Sequence, residues 1–209
     1  MDAPTTLPPQ SHWVRGRGAI GMAILAPFAM GALFSRPYAS EGTLGDLEFD
    51  LAAFLLFVAG AYFRFWATLY IGGRKGCGLA TFGPYSLCRN PLYFGTFLMT
   101  ASLVVFLQNL TLAAGAIVAS IVYLSITVGS EEHRLRHRFG ADYDDYCRRV
   151  PRFWPNVRCY QAPAVIEVNL VGLRRECLNS LRWLWIPIAG EGLAYARTME
   201  LLPHLFQLP

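Results

Sequence analysis

The sequence predicts an all-α integral membrane protein with four transmembrane helices, a fifth being the alternative count, and interfacial helices on the cytosolic side. Long apolar runs broken by short polar segments carry the first part of that prediction. Charge content carries the second. Only 15% of the 209 residues are charged and 54% are hydrophobic, with a mean hydropathy of +0.34, whereas a soluble domain carries about 25% charged residues. The one-sided placement of arginine and lysine carries the third, because it reads as membrane topology.

Residues 1–18 form a tail, Pro-rich and polar through residue 14. The first apolar run, Ala19–Phe34, is interrupted by Pro27. It is short of the roughly 20 residues that a span requires, so it recruits flanking residues or tilts little. Arg15 and Arg17 precede it without a small-residue cleavage site after it, so the run reads as a retained helix. The second run, Leu51–Ile71, is long enough to cross and contains Arg64, whose stem snorkels or turns into the bundle. The third and fourth, Leu92–Leu107 and Leu110–Val128, are separated only by Gln108 and Asn109. That spacing predicts a tight antiparallel hairpin.

Four spans place the N-terminus, the 72–91 loop and everything after 129 on one side. That side holds Arg15, Arg17, Arg74, Lys75, Arg89, Arg134, Arg136, Arg138, Arg148, Arg149, Arg152 and Arg158. The opposite loop, 35–50, holds Arg36 against Glu41, Asp46, Glu48 and Asp50. The bias puts the first side in the cytosol of an inner or plasma membrane. A missed span would scatter the pattern.

Beyond Val128 the helical pattern leaves the membrane. Gly129 permits a bend, and Phe139-Gly140 marks a stop. Asp142 to Val150 reads as a short helix with Asp142 as its N-cap, ended by Pro151 and Pro155. The membrane domain thus occupies 19–160, and residues 161–209 form an amphipathic extension. Between Leu173 and Leu202, Cys177, Leu178, Leu181, Leu184, Trp185 and Ile188 make an apolar stripe, while Arg174, Arg175, Glu176 and Arg182 are polar. Pro187 and Glu191 argue against a span, so the segment reads as a helix lying on the cytosolic leaflet.

Several chemistries lack their signatures. The net charge of +4 is topological, and no nucleic-acid-binding motif accompanies it. No Gly-x-Gly-x-x-Gly follows a strand, Gly72–Gly78 lacks the P-loop spacing, and no Gly-x-Ser-x-Gly elbow occurs. The cysteines, Cys77, Cys88, Cys147, Cys159 and Cys177, are odd in number and contain no Cys-x-x-Cys pair. They read as reduced cytosolic-side thiols. His133 and His137 share a helix face, but arginines crowd them and a zinc site needs a third protein ligand. No metal is expected.

The informative stretch is Gly83-Pro84-Tyr85 through Arg89-Asn90-Pro91-Leu92-Tyr93-Phe94-Gly95, at the entry to the third span. Pro91 fits the first turn of that helix. Arg89 and the free N–H groups of the helix start would meet an anion there. Glu131 and Glu132 stand at the exit of the fourth span, on the same side because of the hairpin, and a carboxylate there would accept from an ammonium. The simpler alternatives are topological anchoring for Arg89 and a Glu132–Arg136 pair along the helix. Tyr143, Tyr146 and Val150–Pro155 would fold back over the site.

Together, Gly83-Pro84-Tyr85, Arg89-Asn90-Pro91-Leu92-Tyr93-Phe94-Gly95, Glu131-Glu132-x-x-Leu135, Phe139-Gly140-x-x-Tyr143-x-x-Tyr146 and Val150-Pro151-Arg152 resemble the isoprenylcysteine carboxyl methyltransferase family, related to the phospholipid N-methyltransferases. The resemblance covers roughly residues 45–160. One departure is Asn90, where the family usually has histidine; asparagine keeps hydrogen bonding but not the positive charge.

The resemblance implies an integral membrane enzyme that uses S-adenosylmethionine to methylate a lipophilic or lipidated acceptor drawn from the bilayer. A carboxylate would give a methyl ester and an amine an N-methyl product. Tyr85, Arg89, Asn90, Pro91, Tyr93, Glu131 and Glu132 are the expected cofactor-binding residues. Arg152, with Asn156, is the expected acceptor-side pair. The competing readings are an NADPH-dependent sterol-reductase-like enzyme, through Tyr143 to Cys147, and a non-enzymatic membrane scaffold.

Overall fold

The computed structural model describes residues 26–28, 43–72, 78–108 and 110–183, with isolated positions at 185, 188, 192, 196 and 199. Most of the expected first span, Ala19–Phe34, lies outside the described residues, as does most of the chain beyond 183. The described elements are all helical: α1 (Leu44–Gly72), α2 (Pro84–Leu87), α3 (Pro91–Leu107), α4 (Leu110–Phe139), α5 (Ala141–Arg149), a 3-10 turn (Val157–Cys159) and α6 (Leu170–Trp183). Two stretches, Leu44–Ile71 and Leu112–Phe139, are long and apolar enough to cross a bilayer, and Pro91–Leu107 is a shorter apolar helix.

α1 begins earlier than its apolar run predicts. The Asp46 N–H donates to Thr43 Oγ1 at 3.3 Å, and Asp46 sits in the first turn, where a negative charge favours the helix start. The helix therefore takes in residues 44–50, expected to be loop. Its seam is small: Ala53, Gly60 and Ala67, seven residues apart, are all buried. This seam packs α1 against α3 in the most extensive helix contact among the described residues. Ser102 Oγ donates to the Ala53 carbonyl at 2.7 Å. A methyl group on Gly60 would stand 2.7 Å from the Gly95 carbonyl oxygen, and one on Gly95 would stand 2.6 Å from Arg64 Cγ. The two glycines thus set the helix separation and clear a path for the Arg64 stem.

Pro84 and Pro91 each start a helix where their missing N–H is harmless. Gly83, at φ 63, turns the chain into α2, and a side chain there would run into the Tyr70 ring. α3 ends at Gln108, which takes the left-handed conformation at φ 48. α4 follows after Asn109, as the hairpin predicts, and continues as one helix through Gly129 to Phe139.

Gly140, at φ 51, both stops α4 and occupies the N-cap position of α5 without a side-chain cap. Asp142, expected as that cap, lies instead in the first turn beside Asp144. One glycine separates the two helices, so no other residue is available for the cap. Tyr143, Tyr146 and Val150 are buried and pack against Leu79, Leu135, Phe139 and Cys147.

In α6, Leu178 and Leu181 of the apolar stripe are exposed, while Glu176, one of its polar residues, is buried. Its Oε1 accepts from Arg64 Nε at 2.7 Å. The counter-charge inside the bundle turns the acidic face inward and leaves the apolar stripe outward.

Candidate functional site

Residues 150–161 are sewn to the 83–90 segment by main-chain hydrogen bonds. The Arg89 N–H donates to the Pro151 carbonyl and the Asn156 N–H to the Leu87 carbonyl, both at 2.9 Å, and the Gly83 N–H donates to the Gln161 carbonyl at 2.7 Å. Ser86 Oγ accepts from the Gln161 N–H at 2.9 Å and donates to the Gly83 carbonyl at 2.6 Å. Tyr146 donates its phenol hydrogen to the Tyr85 carbonyl at 2.7 Å. Phe153 and Trp154 lie edge-on against Phe94 and Phe97. Segments roughly sixty to eighty residues apart in sequence therefore form one wall.

This wall closes a cleft of about 380 Å³, lined by Arg64, Tyr85, Arg89, Asn90, Pro91 and Tyr93 on one side and by Tyr123, Glu131, Leu135, Tyr143 and Tyr146 on the other. A volume in this range suits a ligand of cofactor size. Tyr93 donates to Glu131 Oε2 at 2.7 Å, and its ring meets Tyr123 edge-on at 6.1 Å. The Tyr85 hydroxyl is buried without a hydrogen-bond partner. Burial first, and the nearby Glu131 carboxylate second, push this phenol well above its ordinary range. It therefore stays protonated and is a donor waiting for an acceptor.

Arg89 Nη1 donates to Cys147 Sγ at 2.7 Å and stands 3.3 Å from Glu132 Oε1, a charge contact whose geometry is not a hydrogen bond. Its Nε is buried without a partner. Glu132 also meets Arg152 Nη2 at 3.0 Å. Glu132 thus bridges two guanidinium groups behind the cleft wall and is not among the cleft residues. Arg136 pairs with Asp144 at 2.8 Å and Glu132 with Arg89 and Arg152, so the alternative Glu132–Arg136 pair is not the one formed.

The expected cofactor residues other than Glu132 converge on the cleft. The expected acceptor-side residues lie outside it. The Arg152 side chain is 53% exposed on its Glu132 partner, and Asn156 is exposed, its Oδ1 accepting from the Arg158 N–H at 3.1 Å. Asn90 spends its amide on the main chain: Nδ2 donates to the Arg152 carbonyl at 2.9 Å. This is a neutral donor's task, so no positive charge is needed at that position.

Among the lining residues that lacked a sequence argument for the site are Tyr123 and Arg64. The first had a usable signal, because Tyr123, Thr127 and Glu131 recur one turn apart on α4 and share a face. The second was legible as an interior arginine but not as a cleft residue.

The chain is 34% identical over 146 residues to the nickel-cobalt-cadmium resistance protein NccN of Alcaligenes xylosoxydans xylosoxydans, covering 70% of this chain and 68% of that one. It is 31% identical over 128 residues to the cobalt-zinc-cadmium resistance protein CzcN of Cupriavidus metallidurans, covering 61% and 59%. It is 35% identical over 80 residues to the protein-S-isoprenylcysteine O-methyltransferase of Xenopus laevis, covering 38% and 28%. No family model and no solved structure matches. The chain belongs to the family of NccN, is also similar to CzcN, and over part of its length is homologous to the isoprenylcysteine O-methyltransferases.

Proposed function

We propose that the chain is an integral membrane methyltransferase that uses S-adenosylmethionine to methylate a lipophilic acceptor, a carboxylate or an amine, at the cytosolic face of an inner or plasma membrane. The observation that carries this reading is the buried, unpartnered Tyr85 hydroxyl beside the Tyr93–Glu131 pair in one cleft. A zwitterionic amino-acid group needs both a donor and a carboxylate, and the cleft offers both. The volume fits as well.

On this reading Glu131 accepts from the cofactor ammonium. Tyr85 donates to its carboxylate, together with the first-turn N–H groups of α3, which Asn90 leaves uncapped by its side chain. The Tyr93 and Tyr123 faces favour a sulfonium by roughly 0.5–2 kcal/mol. When bound, the cofactor supplies an electrophilic methyl group. The protein's part is alignment and exclusion of water, with no covalent nucleophile on the chain. Arg89 is held by Cys147 and Glu132 and keeps its positive charge in the lining of the cleft. Arg152 and Asn156 are proposed as outer contacts for the acceptor, with Glu132 orienting Arg152.

NccN and CzcN are named for resistance to metals. The proposed setting for this chain is likewise a membrane under metal stress, with methylation altering a lipid or lipidated component. Two measurements test the reading: calorimetric titration with S-adenosylhomocysteine, and transfer of a labelled methyl group in native membranes. Binding and a labelled lipophilic product are expected. Binding of NADPH instead, or of neither compound, sinks it.

A further inference from the structure

Arg64 is a guanidinium inside an apolar helix, and its surroundings explain how it is held. Its stem crosses the bare backbone of Gly95. Nη1 donates to Thr96 Oγ1 at 2.6 Å and lies 3.4 Å from the Leu92 carbonyl oxygen. Nε donates to Glu176 at 2.7 Å, and the two side chains are 18% and 10% exposed. The contacts to Thr96 and Leu92 come from the helix that carries the cleft motif. Among the described residues, the carboxylate that meets this guanidinium comes from α6, a 14-residue helix in the C-terminal extension. Arg64 also lines the cleft that holds the proposed cofactor residues.

A helix that brings one buried carboxylate to an arginine in an open cleft resembles a ligand more than a strut. Its outward face, with Leu178 and Leu181 exposed, matches the apolar chain of an amphiphile, and Glu176 matches its head. An intramembrane arginine needs polar or anionic partners, and nothing requires the anionic one to be Glu176.

We propose that Arg64 is an anion-recognition site for single-chain amphiphiles with an anionic head, and that Glu176 occupies it when no amphiphile is bound. An incoming carboxylate exchanges for Glu176 and releases α6 from α1, so the extension works as a self-occupying gate beside the cleft. The inference deepens the proposed function by adding a route by which an anionic amphiphile reaches the cleft, and it rests on that reading only for the outcome of the exchange, not for the exchange itself.

The test uses the full chain in phosphatidylcholine nanodiscs, titrated with the fluorescent long-chain carboxylate cis-parinaric acid, with its methyl ester as the uncharged control. Parinarate is expected to bind more tightly than the ester. Because self-occupancy lowers apparent affinity by the fraction of open sites, Glu176→Gln is expected to tighten parinarate binding about ten-fold and leave the ester unchanged. Arg64→Gln should erase the difference between the two probes. If that variant does not fold, Thr96→Val, which removes the brace on Nη1, should weaken parinarate binding instead. Parinarate should also speed amide hydrogen exchange across residues 170–183. Equal binding of acid and ester to wild type and Glu176→Gln overturns the proposal, as does parinarate binding without faster exchange in α6. S-adenosylhomocysteine is titrated into the same discs. Its binding without a parinarate effect defeats the gate alone, and its failure beside a parinarate effect defeats the methyltransferase reading alone.

Discussion

Asn90 Nδ2 donates to the main-chain carbonyl of Arg152 at 2.9 Å, tying the start of α3 to the segment that follows α5. Asn90 is buried, so the bond is made out of reach of most competing water. Asn90→Ala leaves that carbonyl short of its donor, and the expected loss is about 1–3 kcal/mol of stability. Asn90→His restores a ring N–H donor and should recover most of the loss. Thermal melting of the three proteins in one detergent checks both outcomes. Equal destabilisation by alanine and histidine would show that the donor is not what matters.

Glu131 and Glu132 should separate cleanly. Glu131 lines the cleft and Glu132 bridges Arg89 and Arg152 behind it. Glu131→Gln is expected to weaken S-adenosylhomocysteine binding by at least about ten-fold, the loss of one charged hydrogen bond, with little change in melting. Glu132→Ala strips a largely buried guanidinium of its counter-charge and should cost roughly 3–5 kcal/mol of stability. Titration calorimetry and melting, run on both variants, read the two effects independently.

Gly95→Ala would place a methyl group 2.7 Å from the Gly60 carbonyl oxygen and 2.6 Å from Arg64 Cγ. Backbone cannot yield as a side-chain tip can, so α1 and α3 must separate. A destabilisation of about 1–3 kcal/mol is expected, with Gly60→Ala similar, whereas Gly129→Ala, with nothing near the added methyl group, should be neutral or stabilising.

Alkaline pH should unfold the wall of the cleft. Burial pushes the Cys88 thiol up from 9.0 to about 12, and burial likewise raises the phenols of Tyr85, Tyr143 and Tyr146. These groups are neutral in the fold and ionise more readily once it opens. Their stabilising contribution is complete below the unfolded values and disappears as pH rises through the folded ones. The melting temperature should therefore hold up to about pH 9 and fall between there and about 12. Cys88→Ala should delay the onset toward the tyrosine range. A fall that begins below pH 8 would point to other groups.

The helices were legible because their apolar runs and prolines are local signals. Pro91 at the first turn of α3 and the two-residue gap after Leu107 needed no tertiary information. The start of α1 was not, because Thr43 and Asp46 act through a cap that hydropathy does not register. Nor was the inward turn of Glu176, which depends on Arg64, 112 residues away. In the site, residue types at the two borders indicated a zwitterion's needs, and the structure brings Tyr85, Tyr93 and Glu131 to one cleft. The division of labour between the adjacent glutamates was invisible, because neighbours on a helix point about 100° apart and only the wall fixes which one sees the cleft.

α4 runs 30 residues without a break, about 45 Å of rod against a hydrocarbon thickness of roughly 30 Å. With the helix spanning a bilayer as proposed, the rise of about 32 Å from residue 110 to Glu131 would lift that carboxylate to the level of the lipid head groups. On the proposed reading, acceptor concentration is then counted per lipid and not per litre. Turnover should follow the acceptor's mole fraction in the bilayer, and adding inert phospholipid at constant total acceptor should slow the reaction by surface dilution.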